Sequence, residues 1–408
     1  MNVLETLRVA ARALNRNKMR SFLTTLGIVI GILAVIAMVA IGEGAKKKVE
    51  DAFASMGSDL LIILPGTTTR GGAFGGFGSM PTLTWEDLKA IRAEIPSVRY
   101  AAASLRATSQ ILSEDQNWTT SVTGTSPEFF SIRQWPAATG ALFTASDVDS
   151  GTKVAVLGKT VADKLFGAGI DPVGLTVRIK NIPFQVVAVL EPKGQSPMGQ
   201  DYDDAVFVPQ TSFQAKIQGG LQKYLSGAIM VGAQAGQTSR AERQISELLR
   251  DRHRIPPGAD DDFSIRNLTD IANAQQQGVS TITTLLAVIA MVSLVVGGIG
   301  IMNIMLVSVT ERTREIGVRM AVGARPRDIL LQFLVEALAL AIAGGAIGVA
   351  LGLFTAARLA ATFGWPMLVR PDVIAIAVAF SGAVGVGFGL YPAQKASRLD
   401  PIQALRFE

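Results

Sequence analysis

The chain has one histidine, His253, and no cysteine. Thiol nucleophiles, disulfides and thiolate zinc sites are excluded, and any histidine-dependent triad would have to run through His253. That residue lies in LLRDRHRIPPG, a highly charged helix end, where a solvated histidine is the expectation. GTKVAVLGKT (151–160) ends like a phosphate-binding loop, but GxxxxGK[ST] needs glycine where this chain has Lys153. SGTK (150–153) fits the SxxK pattern of serine acylases without a companion motif. The acidic runs DYDD (201–204) and DDD (260–262) lack the alternation and glycine of a calcium loop and read as solvated loops. No HExxH or GxSxG occurs. These residues predict no catalytic set, no metal site and no cofactor within the chain.

The densest chemistry is of another kind. Residues 311–328, ERTREIGVRMAVGARPRD, hold five arginines, two glutamates and an aspartate between two long stretches almost without charge. Glu311 with Arg314, and Glu311 with Glu315, stand at helical neighbour spacings. Gly317 and Gly323 permit breaks, and Pro326 with Asp328 suits the first turn of a following helix. Arg312, Arg319 and Arg325 are expected to project away from the membrane. The alternation of acid and base gives a short helix a defined polar face, which suits docking to a protein partner.

That loop must be positioned by membrane helices. Of 408 residues 49% are hydrophobic and only 17% charged, and the mean hydropathy is +0.36, outside the usual range of soluble domains. The expected fold class is a membrane protein with four transmembrane helices and a large α+β extracytoplasmic domain inserted between helices 1 and 2. Roughly 20 apolar residues are needed per span. The expected layout is an amphipathic segment at 1–20, helix 1 at 21–41, the inserted domain with a stalk and two lobes at 42–281, and helix 2 at 282–309. A loop at 310–328, helix 3 at 329–357, a short outer loop at 358–371, helix 4 at 372–392 and a tail at 393–408 complete it. Helix 1 is too long for a signal-peptide core and reads as an uncleaved anchor. Thirteen lysines and arginines lie in 1–20, 310–328 and 393–408, against five near the other span ends (Lys46, Lys47, Lys48, Arg358 and Arg370). By the positive-inside rule both termini and the arginine loop are cytoplasmic. Leu4, Leu7, Ala11 and Leu14, with Arg8, Arg12 and Arg16 between them, fit an interfacial amphipathic helix. Gly27 and Gly31, Gly344, Gly348 and Gly352, and Gly385 and Gly389 recur every four residues, the spacing for close helix packing in lipid. Glu336 is the one ionisable residue within a span and is expected to snorkel or to meet an arginine.

In the inserted domain, DLLIILPG (59–66) reads as a strand and the glycine-rich stretch 66–80 as a mobile loop. Thr84 reads as the N-cap of a helix that Pro96 stops. Residues 175–192 read as a hairpin about Asn181 and Pro183, and 239–254 as a helix with Ala241, Ile245, Leu248 and Leu249 on one face. With 23 basic and 25 acidic residues in 43–281, nothing suggests a nucleic-acid groove.

The arginine loop resembles the signature of the MacB/FtsX-type ABC transporter permeases, where the segment after the second span is the coupling helix that contacts the ATPase. Residues 17–66, VAVLGKTVADKLFGAGIDPVGLTVRI (154–179) and YPAQKASRLDPIQALRFE (391–408) are similar to other parts of that family, and the likeness covers essentially the whole chain. It implies a bacterial inner-membrane permease whose ATPase-coupling residues are Glu311, Arg312, Arg314, Glu315, Gly317, Arg319, Gly323 and Arg325. MacB itself carries its ATPase ahead of the first span. Here no P-loop exists, so a separate ATPase in two copies, binding ATP and Mg, is expected. The family further implies a second permease, most simply in a homodimer, a periplasmic adaptor and a TolC-like outer-membrane channel. ATP-driven motion would then pass through the spans to the outer domains (mechanotransmission), with efflux as the outcome. The alternatives are a lipoprotein-releasing or cell-wall-hydrolase-regulating FtsX-like permease and, more remotely, a membrane-anchored enzyme.

Overall fold

The computed structural model describes residues 18–57, 59–66, 69–70, 73–74, 80–196, 199–220, 222–364 and 366–405. The amphipathic segment expected over 1–20 lies outside them up to residue 17. Helix α1 (Lys18–Met56) is followed by β1 (Leu60–Pro65), β2 (Thr69–Arg70), β3 (Ala73–Phe74), α2 (Trp85–Glu94), β4 (Val98–Leu112) and β5 (Asn117–Thr125). Next come α3 (Glu128–Ile132), β6 (Ala137–Gly140), α4 (Ala145–Ser150), β7 (Val154–Leu157), α5 (Lys159–Phe166), β8 (Thr176–Ile179), β9 (Ile182–Leu190) and β10 (Ala205–Pro209). After a short turn and a π-helical stretch, β11 (Gly227–Ala233), α6 (Thr238–His253) and β12 (Phe263–Asn267) close the insertion. The chain ends with α7 (Leu268–Glu311), α8 (Thr313–Ala321), α9 (Pro326–Phe363), α10 (Pro371–Ser397) and α11 (Pro401–Leu405). Two units result, 1–48 with 276–408, and 49–275.

Helices α1, α7, α9 and α10 are each long and apolar enough to cross a membrane. The helices outrun the expected boundaries. At about 1.5 Å per residue, α1 and α7 extend well beyond the roughly 30 Å of a bilayer core. Lys46, Lys47 and Lys48 therefore lie on helical turns of α1. Helix α9 continues past Arg358 to Phe363, which shortens the outer connection. Lipid offers helices no hydrophobic reason to associate, so close backbone approach must hold them. The glycines supply it. A Cβ placed on Gly344, Gly348 or Gly352 of α9 would lie 3.3, 2.9 and 3.0 Å from the Cβ of Ile28, Ile32 and Ile36 of α1. One at Gly27 would lie 2.9 Å from Gly297 Cα, and one at Gly31 would lie 3.2 Å from Leu294 Cα. On α10, Gly385 and Gly389 sit against Ala341 and Ala337, each 2.5 Å from a Cβ so placed.

The inserted unit is built on a ten-stranded sheet of order β12-β1-β11-β4-β5-β10-β7-β9-β6, with β8 bridging β4 and β9. The ladder runs through residues 49–275, which form one compact unit. Side chains alternate across a strand, and the sheet therefore carries two cores. Leu61, Ile63, Ala103, Leu105, Val206 and Val208 join one; Leu60, Ala102, Val156 and Phe207 join the other. Lys180 and Asn181, both at positive φ (47° and 64°), make the β8–β9 turn, so Pro183 lies inside β9 opposite Arg178. Within the glycine-rich stretch, expected to be a loop throughout, β2 and β3 form a two-residue antiparallel ladder. Thr84 caps α2 in a reciprocal box with Asp87, and Ala241, Ile245 and Leu249 are the buried face of α6.

His253 is not the solvated residue its charged surroundings suggest. Its ring is held between Asp262 (Nδ1 to Oδ1 2.7 Å) and Asp87 (Nε2 to Oδ2 3.2 Å), and Arg252 Nε donates to Asp87 at 2.7 Å. Burial alone would lower the His253 pKa; hydrogen bonds and charges from Asp262 and Asp87 outweigh it and raise the pKa above 6.5. A raised histidine pKa stabilises the fold fully below the unfolded value, and the contribution is lost as pH climbs through the folded one. The unfolding temperature of this unit should therefore fall as pH rises from about 6.5 through the raised folded pKa, and the slope should flatten in His253→Gln. Thermal melts of both proteins across that range check this; equal slopes would contradict it.

Candidate functional site

The loop at 311–328 folds as a helix between two turns. Helix α7 ends at Glu311, Arg312 breaks the helical path (φ −108°, ψ 15°), and α8 runs over Thr313–Ala321. The second break falls at Val322 and Gly323, whose φ of 103° favours glycine. Pro326 then opens α9, and the Arg325 backbone N–H donates to Asp328 Oδ2 at 3.1 Å, as expected of that pair.

The arginines divide into two sets. Arg312 was expected to project outward but turns back: its Nη1 and Nη2 lie 3.3 and 3.4 Å from the two carboxylate oxygens of Glu336 on α9. Glu336 is 5% exposed, so the ionisable residue in the span has an arginine partner. Arg319 also turns inward, donating to Gln332 Oε1 at 2.9 Å and pairing with Glu315 four residues earlier. The two contacts clamp both ends of α8 onto the first turns of α9. Glu311, Arg314, Glu315 and Arg325 are exposed, as is Arg327. Gly317 does not break the helix. It lies inside α8, where a Cβ would meet the Cβ of Ala404 on α11 at 2.7 Å, and so it admits the C-terminal helix.

The buried face of α8 is Thr313, Ile316 and Gly317, with Ile316 reaching the core of the membrane unit. The opposite face carries Arg314 and Val318 at i and i+4, and Val322, at the C-cap of α8, continues the row. Val318 is 47% and Val322 85% exposed. Sequence reasoning attended to charge and missed these valines, although their spacing from Arg314 was available. Gln332 and Ala404 were also missed as partners of the loop, since nothing local ties them to it, and for Glu336 an arginine was expected without being identified as Arg312. Among the described residues no group of three or more His, Asp or Glu side chains could hold a metal. What the arrangement offers is a rigid, exposed surface with an apolar centre and basic and acidic flanks.

The model of the MacB-like periplasmic core domain matches residues 21–248, and that of the FtsX-like permease C-terminal region matches 287–401. A macrolide export ATP-binding/permease protein MacB of Syntrophobacter fumaroxidans is 42% identical over 99% of this chain and 64% of its own length. A protein of the same name from Azoarcus sp. strain BH72 is 45% identical over 100% of this chain and 60% of its own length. The chain thus spans about three fifths of these relatives. The periplasmic region of MacB from Actinobacillus actinomycetemcomitans aligns with 56% of this chain and 98% of its own at a TM-score of 0.45 and 20% identity. With the core-domain match covering more than half of its length and the permease match falling on the later helices, the chain belongs to the MacB/FtsX-type ABC transporter permeases.

Proposed function

We propose that these 408 residues are the permease part of a MacB-like ABC exporter and that α8 is where it takes its drive from the ATPase. The supporting observation is the exposed row Arg314, Val318 and Val322 on a helix whose other face is clamped to α9. A valine that is 85% exposed beside paired charges matches the anatomy of a protein interface, an apolar centre with a polar rim. ATP and Mg would bind on ATPase subunits or domains outside these residues, in two copies beneath a pair of permeases. By the positive-inside rule both termini and α8 would lie on the ATPase side. The drive would pass from α8 through the Arg312–Glu336 contact into α9, and from α9 to α1 along the Gly344, Gly348 and Gly352 row. Helix α1 continues unbroken to Met56, just before β1. Such a stroke would move the periplasmic domain, and the permease would work with an adaptor and a TolC-like outer-membrane channel. The relatives are named as macrolide exporters, so macrolides are the first substrates to try.

The test is ATPase activity of the reconstituted complex. Arg314→Glu and Val318→Asp should each reduce permease-dependent ATPase stimulation about tenfold, the cost of losing one interface anchor, while the permease still inserts and folds. Full stimulation in both variants would remove α8 from this role.

A further inference from the structure

One face of the ten-stranded sheet is only partly covered. There β4, β5 and the chain from Gln200 to Phe207 line a cavity of about 780 Å³, bounded on another side by α3 and the turn after it. That volume is in the range of small-molecule sites. Arg106 of β4 lies opposite Thr123 of β5 on this face. Phe129, Trp135 and Phe207 supply aromatic surface, and Trp135 is fixed by its Nε1–H donating to Glu191 O at 2.6 Å.

The unusual member is Arg133, at the C-cap of α3. It is 7% exposed, and among the described residues its guanidinium has no ion pair and its Nε no hydrogen-bond partner. The guanidinium sits over the Tyr202 ring, 4.8 Å from the centroid. The Tyr202 hydroxyl and the Ser121 hydroxyl, both on this cavity, are likewise buried without partners. A buried cation without a counter-ion is among the costlier features a fold can carry. Lys193 adds to the positive charge: its ammonium lies 5.4 Å from the Trp135 ring centroid and donates to the Arg133 carbonyl oxygen. Burial, followed by the charge of Arg133, pulls the Lys193 pKa down to about 8. The nearby carboxylates have other partners, and the charge of Asp203 acts on Lys193 and not on Arg133. Asp204 accepts from Trp118 Nε1 at 2.8 Å, Asp201 from the Thr160 hydroxyl at 2.7 Å, and Asp203 from the backbone N–H groups of Lys193 and Gly194.

We propose that this cavity binds an amphipathic oxyanion, its carboxylate or phosphate head held by Arg133, Tyr202 and Ser121 and its flat apolar body against Phe129, Trp135 and Phe207. A guanidinium fork and two hydroxyls are donors matched to such a head. The inference goes beyond the exporter reading and does not depend on it, since binding needs neither ATP nor a partner.

Equilibrium dialysis of the full chain in lipid nanodiscs, without ATP, tests this with naphthalene-2-carboxylate, 2-naphthyl phosphate and the neutral naphthalene-2-carboxamide. Saturable binding of one anion per chain is expected, with the amide about tenfold weaker or more. Arg133→Met and Arg133→Gln should weaken the anions about tenfold, the measure of a charge-assisted contact. Because Arg133→Met removes an unpaired buried charge, its melting temperature should hold or rise, a result that a purely structural arginine would not give. The stronger of the two anions identifies the head group. Equal binding of amide and carboxylate, equal binding by wild type and Arg133→Met, or no saturable binding of either anion would overturn the proposal.

Discussion

Gly348→Phe should abolish the folded membrane unit, while Gly387→Ala, two residues from Gly385 and from Gly389 on α10, should be neutral or slightly stabilising. At Gly348 even one added carbon would lie 2.9 Å from Ile32 Cβ and 3.0 Å from the Val29 carbonyl oxygen. The second of these is backbone and cannot rotate away. Gly348→Ala should then cost about 1–3 kcal/mol, as overpacking does, and a phenyl ring would separate α9 from α1. Around Gly387 nothing lies within 4 Å, so alanine gains up to about 1 kcal/mol of helix propensity without a clash. Gly385 and Gly389, each 2.5 Å from an alanine Cβ on α9, should behave like Gly348. Unfolding of the detergent-purified variants, followed by circular dichroism, measures the series. If Gly387→Ala proved as harmful as Gly389→Ala, contact would not be the cause.

Removing Glu336 should be the other severe change. Arg312 and Glu336 lie 24 residues apart in sequence and pair through both ends of the guanidinium and carboxylate. The side chains are 21% and 7% exposed. Glu336→Ala would strand a largely buried arginine, at a cost of about 3 kcal/mol, the low end for a broken buried pair because Arg312 still reaches solvent. Replacing both partners, Arg312→Met with Glu336→Met, should cost clearly less than Glu336→Ala alone, since no uncompensated charge remains. The same variants should loosen α8, because Arg312 is its attachment at the α7 end. A double-mutant cycle with an interaction term near zero would show that the pair contributes nothing.

Much of this architecture was legible in the sequence because it is written at short range. Apolar runs longer than a bilayer needs identify all four membrane helices, and the four-residue recurrence of Gly344, Gly348 and Gly352 marks the face that α1 approaches. Thr84 announces its helix as an N-cap, and Pro326 with Asp328 announces α9. Each of these depends on neighbours within a turn or two, and a side-chain period carries that information. The apolar pattern bounds the spans and not the helices, because polar residues such as Lys46 end the apolar run of α1 without ending the helix.

Other features depended on which distant group came near. Arg312 and Arg314 have the same chemistry two positions apart. The helix turn aims Arg312 at Glu336 and leaves Arg314 exposed, a choice made by the packing of α8 on α9. Gly317 reads as a possible break until Ala404, 87 positions later in the numbering, comes to rest on it. His253 was assigned to solvent on its local charge, yet one of its partners, Asp87, is 166 residues away. Arg133 stands out only because the sheet and α3 bury it without supplying a carboxylate. The sequence by itself determined the membrane class, the four helices, the inserted domain and the charged loop, since periodicity and composition act within a helical turn. Only the tertiary structure decided which charges are spent inside the protein and which are left for another molecule, since burial and pairing join residues that the chain keeps far apart.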